Sequence, residues 1–301
     1  MAKLAAVTGA TGFVGPHLVA ALARHGWTLR LLIRRWTPLP SLPGVEADIV
    51  WGDLSDAASL KALVDGADAV VHAAGLIKAR RPAEFDAVNR DGTARLSALA
   101  PDVPFLLLSS LAAREPQLSP YAASKRAAEE AIARRSGAWL ALRAPAVYGP
   151  GDRETLAYFK MAKRGFALQP DRSEARLSLI HVEDLAEALA LALDRPPPSG
   201  ILEIDDGHRA GYSHADMAKA AAAALGRPVR SVRIGQGLMS GIATVNCLRP
   251  GAQILTPSKV RELFHPDWTA RGTGLPGFSA RYDLGEGFDH TILWYRSRRW
   301  L

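Results

Sequence analysis

Tyr121 and Lys125 stand four residues apart, a spacing that puts both on one face of a helix. A phenol titrating at about 10 exchanges protons poorly at neutral pH, and a neighbouring cation improves it by stabilising the phenolate. Lys125 supplies that charge. The pair follows an apolar run, Phe105–Leu108, that ends in two hydroxyls, Ser109 and Ser110. A phenol, an ammonium and a hydroxyl are therefore candidates for moving a proton to or from a substrate oxygen. No Ser/His/Asp, Cys/His or metal-binding arrangement competes, because His72 has no second ligand at a metal-site spacing.

Such residues need a scaffold, and the chain opens with one. The apolar run Leu4–Val7 leads into Thr8-Gly9-Ala10-Thr11-Gly12-Phe13-Val14-Gly15, after which apolar residues recur at helical spacing. This reads as strand, glycine turn, helix. Gly9 permits the tight turn, Gly12 lets a phosphate approach the backbone, and Gly15 lets the helix lie close to the strand. A pyrophosphate would sit at the helix N-terminus, where free N–H groups and the helix dipole favour an anion. Pro16 is tolerated in the first turn. Further strands are expected at Thr28–Ile33, Ala47–Trp51, Ala69–His72, Phe105–Leu108, Leu140–Leu142 and Ile201–Ile204, with a loop marked by Pro38, Pro40 and Pro43. The almost wholly apolar Ala69–His72 suits a parallel strand covered on both faces. The expected fold is α/β: a Rossmann-like doubly wound parallel sheet over residues 1–150, with a returning strand near 200–206. Residues 151–301 are expected to form mainly a smaller C-terminal substrate-binding region, with a helix at Ala215–Leu225 and a stiff connector at Pro196–Pro198.

The Gly-x-x-Gly-x-x-Gly spacing, Gly52-Asp53-Leu54, the Tyr121/Lys125 pair, and the segments Arg143–Gly151 and Ser178–Asp184 resemble the extended short-chain dehydrogenase/reductase superfamily. Its label is the NAD-dependent epimerase/dehydratase family. The resemblance is specific up to about residue 206 and general beyond. It implies that Gly9, Thr11, Gly12, Phe13, Val14 and Gly15 cradle the dinucleotide, with Asp53 and Leu54 at the adenine. Asp53 could equally cap the following helix. His72, Ala73 and Ala74 would run beneath the cofactor, Lys125 would hold the nicotinamide ribose, and Pro145 and Val147 would line the nicotinamide amide and substrate cleft. Tyr121 would exchange the proton and a serine would bond the substrate oxygen. Aligning the strand ends selects Ser110, and a one-residue shift would select Ser109. Asn89 would brace neighbouring backbone, and Asp184 would order the start of the next helix. Family dehydratases carry acids just after the serine, where this chain has Leu111-Ala112-Ala113, which argues against elimination.

Strand Thr28–Ile33 ends in Arg34-Arg35. An acid there binds the 2′-hydroxyl of the adenosine ribose, whereas arginine accommodates a 2′-phosphate. NADP(H) is therefore expected in preference to NAD(H), the plain alternative being two solvated arginines. The expected activity is hydride transfer between nicotinamide and a carbonyl or secondary alcohol. A sugar-nucleotide epimerase and a non-catalytic dinucleotide-binding accessory subunit are the alternatives.

The 301 residues are 48% hydrophobic, which fits a globular protein. A net charge of +7 invites nucleic acid, but the charges are scattered, with small clusters at Arg34-Arg35, Lys78–Arg81 and Arg296–Arg299. A basic surface with one phosphate-binding pair is the simpler reading, with no nucleic-acid partner. Cys247 is the one cysteine and is expected to be a buried structural thiol. The apolar stretch Leu185–Leu193 carries Glu187 and falls short of the roughly 20 residues that span a bilayer. With no basic n-region and apolar core at the start, no signal peptide or membrane span is expected, and the cytoplasm is the expected compartment. Trp294, Tyr295 and Trp300 are expected to pack against the body rather than meet a membrane or partner. The expected partner is a small carbonyl or hydroxyl substrate, and a homodimer is left open.

Overall fold

The computed structural model describes residues 3–38, 43–247, 253 and 255–301. Its first elements are β1 (Leu4–Thr8), α1 (Gly15–Arg24), β2 (Thr28–Ile33), β3 (Ala47–Trp51), α2 (Ala57–Val64) and β4 (Ala69–His72). There follow α3 (Pro82–Phe85), a π-helical stretch Asp86–Asp91, α4 (Gly92–Leu99), β5 (Phe105–Ser110), α5 (Pro120–Ile132) and β6 (Trp139–Ala144). Pro38 and Pro43 flank the expected loop, and Pro40 lies outside the described residues.

Seven parallel strands form one sheet in the order Gly200–Glu203, β6, β5, β4, β1, β2, β3. β1 lies between β4 and β2, so the strand order reverses there, and Thr8 stands opposite His72 at the two carboxyl ends. Ligands bind in the crevice outside such ends. All four residues of β4 are buried, as its apolar run requires. Leu60 and Leu63 of α2, Leu96 of α4 and Ala128 and Ile132 of α5 pack with Val70, Phe105 and Leu107 of the strands into one core. β5 runs two residues past its apolar stretch, so Ser109 and Ser110 belong to the strand. The returning strand is Gly200–Glu203 rather than Ile201–Ile204.

The chain divides into two compact units, the first formed by Met1–Ala144, Leu185–Glu203 and Gly272–Phe278. The second comprises Pro145–Asp184, Ile204–Arg271 and Ser279–Leu301. Its aromatic core sets Phe159 against Phe288 at 4.9 Å between ring centroids, with Tyr148 and Tyr295 buried beside them. The helices His214–Leu225 and Leu284–Ser297 both start with capping boxes, Ser213/Asp216 and Asp283/Glu286. The C-terminal aromatics pack inward: the Tyr295 hydroxyl donates to the Asp152 carbonyl at 2.7 Å, and Arg153 lies over the Trp300 ring at 4.9 Å. Asp184 stands in the first turn of the helix Val182–Asp194 and accepts from the Tyr282 N–H at 3.0 Å. The expectation of a buried Cys247 is corrected: the thiol is exposed where it closes the helix Gln236–Asn246.

Candidate active site

The glycine turn is shaped by close backbone approach. Gly9 has φ +85°, and a Cβ on it would stand 2.6 Å from the Ala73 carbonyl carbon and Ala74 nitrogen. A Cβ on Gly15 would lie 2.3 Å from the Gly9 oxygen. Side chains at these positions would separate the turn from the end of β4 and from α1. Thr11 and Gly12 are exposed, Phe13 and Val14 half-buried. Val14 gives α1 no side-chain cap, and the first turn carries no acid. The helix start thus has no side-chain cap and no acid to compete with an anion, although the Gly15 N–H is engaged by the Gly12 carbonyl at 3.2 Å and Pro16 has none.

Behind this turn a buried relay fixes the two strand ends. Thr8 Oγ1 accepts from the Ala74 N–H at 3.2 Å and bonds His72 Nδ1 at 2.6 Å. His72 Nε2 meets Thr93 Oγ1 at 2.9 Å, and that hydroxyl donates to the Asn89 carbonyl at 2.5 Å. These bonds fit a neutral ring with its proton on Nε2. Burial, with the Lys125 charge adding, pushes His72 down to about 3. Its side chain is fully enclosed, so only the backbone of His72-Ala73-Ala74 is presented at this edge.

Asn89 holds the next piece of backbone. Its Oδ1 accepts from the Leu76 N–H at 2.7 Å, while Nδ2 donates to the Leu76 carbonyl at 3.0 Å and to Ser124 Oγ at 2.9 Å. Ser124 in turn donates to the Tyr121 carbonyl at 2.8 Å. The π-helical stretch, a feature frequent at functional sites, thereby joins the turn after β4 to α5.

α5 begins with Ser119 accepting from the Ala122 N–H at 3.0 Å and Pro120 in the first turn. This start sets the face that carries Tyr121 and Lys125. Lys125 is buried and donates to the Leu108 carbonyl of β5 at 2.6 Å, and a Cβ on Gly75 would lie 3.9 Å from its Nζ. Burial pushes Lys125 down to about 8, with Glu129 opposing the shift. Tyr121 is half-buried, its ring edge-on to Phe85 at 6.1 Å. The two serines differ sharply. Ser109 is buried and donates to Glu129 Oε1 at 2.5 Å, whereas the half-exposed Ser110 accepts from the Ala112 N–H at 3.2 Å.

Beneath them lies a network that motif reading missed. Arg143 of β6 stands beside Ser109 of β5 and Glu203 of the returning strand in register. It donates to both Glu129 oxygens at 2.9 and 2.7 Å and to Glu203 at 3.2 Å, and Arg114 meets Glu203 at 3.1 Å. Four buried charges pair here. The available signal was Arg143 and Glu203 interrupting otherwise apolar strands, and Glu129 one turn beyond Lys125 on the same helix face.

At the far end of the turn region, Arg34 and Arg35 follow the tip of β2 and are exposed. Asp53 is also exposed. Its Oδ1 takes the Ser55 N–H and hydroxyl at 2.7 and 2.6 Å, and these bonds, with Arg34 adding, hold its carboxyl below the usual range. The cap of α2 is Asp56, not Asp53. Leu54 packs against Gly92 of α4. Pro145 and Val147 belong to the second unit, where Pro145 is buried and Val147 sits in a strand paired with Leu179–His181.

With this geometry in view, the sequence profile of the NAD dependent epimerase/dehydratase family matches residues 5–204. The chain belongs to that family. As a member of the NAD-dependent epimerase/dehydratase family it is an NAD(P)-dependent enzyme on a Rossmann-like sheet. It is 43% identical to the ceramide reductase of Caulobacter vibrioides, over 98% of this chain and 95% of that protein. It is 27% identical to the 4-hydroxy-2-methyl-3-oxo-4-farnesyl-3,4-dihydroquinoline-1-oxide ketoreductase of Stigmatella aurantiaca, over 67% of each chain. The UDP-glucose 4-epimerase of Bifidobacterium longum, solved with NAD+ and UDP, shares the fold at TM-score 0.72 and 18% identity over 99% of both chains. The family's dinucleotide fits the edge described: Gly9 and Gly15 admit no side chain, the helix start has no side-chain cap, and Lys125 is held at the carboxyl end of β5.

Proposed function

We propose that this enzyme is an NADP(H)-dependent reductase of a ketone carried on a long-chain, ceramide-type lipid. The observation that carries the reading is likeness to a ceramide reductase along nearly the whole chain, including the C-terminal half where substrate specificity resides. A second reductase among the relatives is named for a farnesyl-bearing substrate, which supports an apolar tail.

When bound, the nicotinamide supplies hydride to the carbonyl carbon. Tyr121 gives its proton to the carbonyl oxygen, so ketone and donor become secondary alcohol and oxidised cofactor. The Lys125 ammonium stabilises the phenolate left behind. Ser110 bonds the same oxygen, since Ser109 is committed to Glu129. Arg34 and Arg35 take the 2′-phosphate.

Incubation with NADPH and a long-chain keto amide tests the reading, with UDP-glucose and NAD+ in parallel. The expected result is oxidation of NADPH and a product heavier by two hydrogens. Sugar epimerisation with an untouched keto amide would overturn it.

A further inference from the structure

The helix Gln236–Asn246 turns only one side to the protein. Ala243 is buried with Val260 and Phe264, and Met239 packs on them. The other side leaves Leu238, Ile242 and Val245 exposed by 65%, 49% and 66%. These residues recur at i, i+4 and i+7, one helical stripe, and with Gly237, Gly241 and Leu255 they line an open groove. Val232 on the preceding strand and Leu263 on the following helix are also exposed.

In sequence the stripe lies within a basic stretch. Between residues 227 and 262 the sequence holds Arg227, Arg230, Arg233, Arg249, Lys259 and Arg261 against a single acid, Glu262. That stretch carries most of the surplus behind the chain's net +7. Glu262 is buried and pairs with Lys259 at 2.7 Å, while Arg227, Arg230, Arg233 and Arg261 are exposed. The helix itself has no charged residue between Gln236 and Asn246. An apolar stripe flanked by arginines is complementary to the headgroup and acyl boundary of an anionic bilayer. A soluble protein rarely leaves so continuous an apolar face without an occupant.

We infer that the Gln236–Asn246 face docks reversibly on an anionic membrane surface, the apolar stripe entering the acyl boundary and the arginines meeting lipid phosphates. The inference rests on this surface alone and stands apart from the substrate reading.

Co-sedimentation of the full chain with vesicles tests it, using equal parts phosphatidylglycerol and phosphatidylcholine against phosphatidylcholine alone. The protein should partition to the anionic vesicles, and binding should weaken as salt rises. Leu238→Glu with Val245→Glu should lower partitioning about tenfold or more, and Arg230→Glu with Arg233→Glu similarly. All four side chains are exposed, so unchanged melting curves will show that the variants fold. As a second readout, an environment-sensitive dye on Cys247, which is exposed at the end of this helix, should shift to the blue on anionic vesicles only. Absence of partitioning at low salt, or partitioning untouched by the Leu238/Val245 variant, would overturn the inference. So would a concentration-dependent dimer, formed without lipid and dissolved by that variant, since a second copy would then cover the face.

Discussion

The Ser109 hydroxyl donates to the Glu129 carboxylate at 2.5 Å, a bond that distinguishes it from the adjacent Ser110. Ser109→Ala removes a donor from a buried carboxylate and should cost roughly 1–3 kcal/mol of stability while the folded enzyme keeps its rate. Ser110→Ala should leave melting nearly unchanged and lower kcat about 10²-fold. Thermal melts and turnover on both variants decide it. A Ser109→Ala enzyme that melts normally but does not turn over would reverse the assignment.

The Glu129–Arg143 pair gives a second test, in stability alone. Removing one partner strands a buried charge, so Glu129→Ala should destabilise by about 3–5 kcal/mol. Glu129→Leu combined with Arg143→Met should cost clearly less than the two single changes added. Urea unfolding of the singles and the double measures the coupling, and strict additivity would show that the two side chains act independently.

Proton donation should carry a signature of Lys125. The buried ammonium is held near its deprotonation point, down to about 8, and its loss removes the charge that stabilises the Tyr121 phenolate. The kcat/KM for ketone reduction should therefore fall as pH rises through that value, since this parameter reports the free enzyme. Lys125→Arg, which stays protonated, should move the falling limb to higher pH at a reduced rate. An unmoved limb would assign the titration elsewhere.

Arg34 and Arg35 set the expected cofactor choice. A charge-assisted bond to the 2′-phosphate contributes roughly 1.5–3 kcal/mol, so NADPH should bind about ten- to a hundredfold tighter than NADH, exposure favouring the lower figure. Arg34→Asp should reverse the order. Titration of both reduced cofactors checks this, and equal affinities in the native protein would return the arginines to the solvated surface.

The scaffold was legible because it depends on local rules. β2, β3 and β4 begin and end where their apolar runs do. The glycine turn announced the strand–helix junction, and Tyr121/Lys125 spacing announced a shared helix face. What local rules could not convey was the content of the sheet's interior. Arg143 and Glu203 lie 60 residues apart in sequence and meet only because the returning strand pairs with β6. The difference between the surroundings of Ser109 and Ser110 arises from Glu129 reaching back across 20 residues to Ser109. Cys247 is of a type that favours burial, yet its place at the end of a helix leaves it exposed, which residue type alone does not convey.

Tyr121 is proposed to deliver a proton as hydride reaches a ketone carbon. NADPH deuterated at nicotinamide C4, incubated with a long-chain keto amide, should place the label on the carbon that becomes the secondary alcohol. Tyr121→Phe should slow that transfer roughly 10²- to 10⁴-fold while cofactor affinity stays nearly unchanged. Unlabelled alcohol carbon in the native product, or full transfer by Tyr121→Phe, would contradict it.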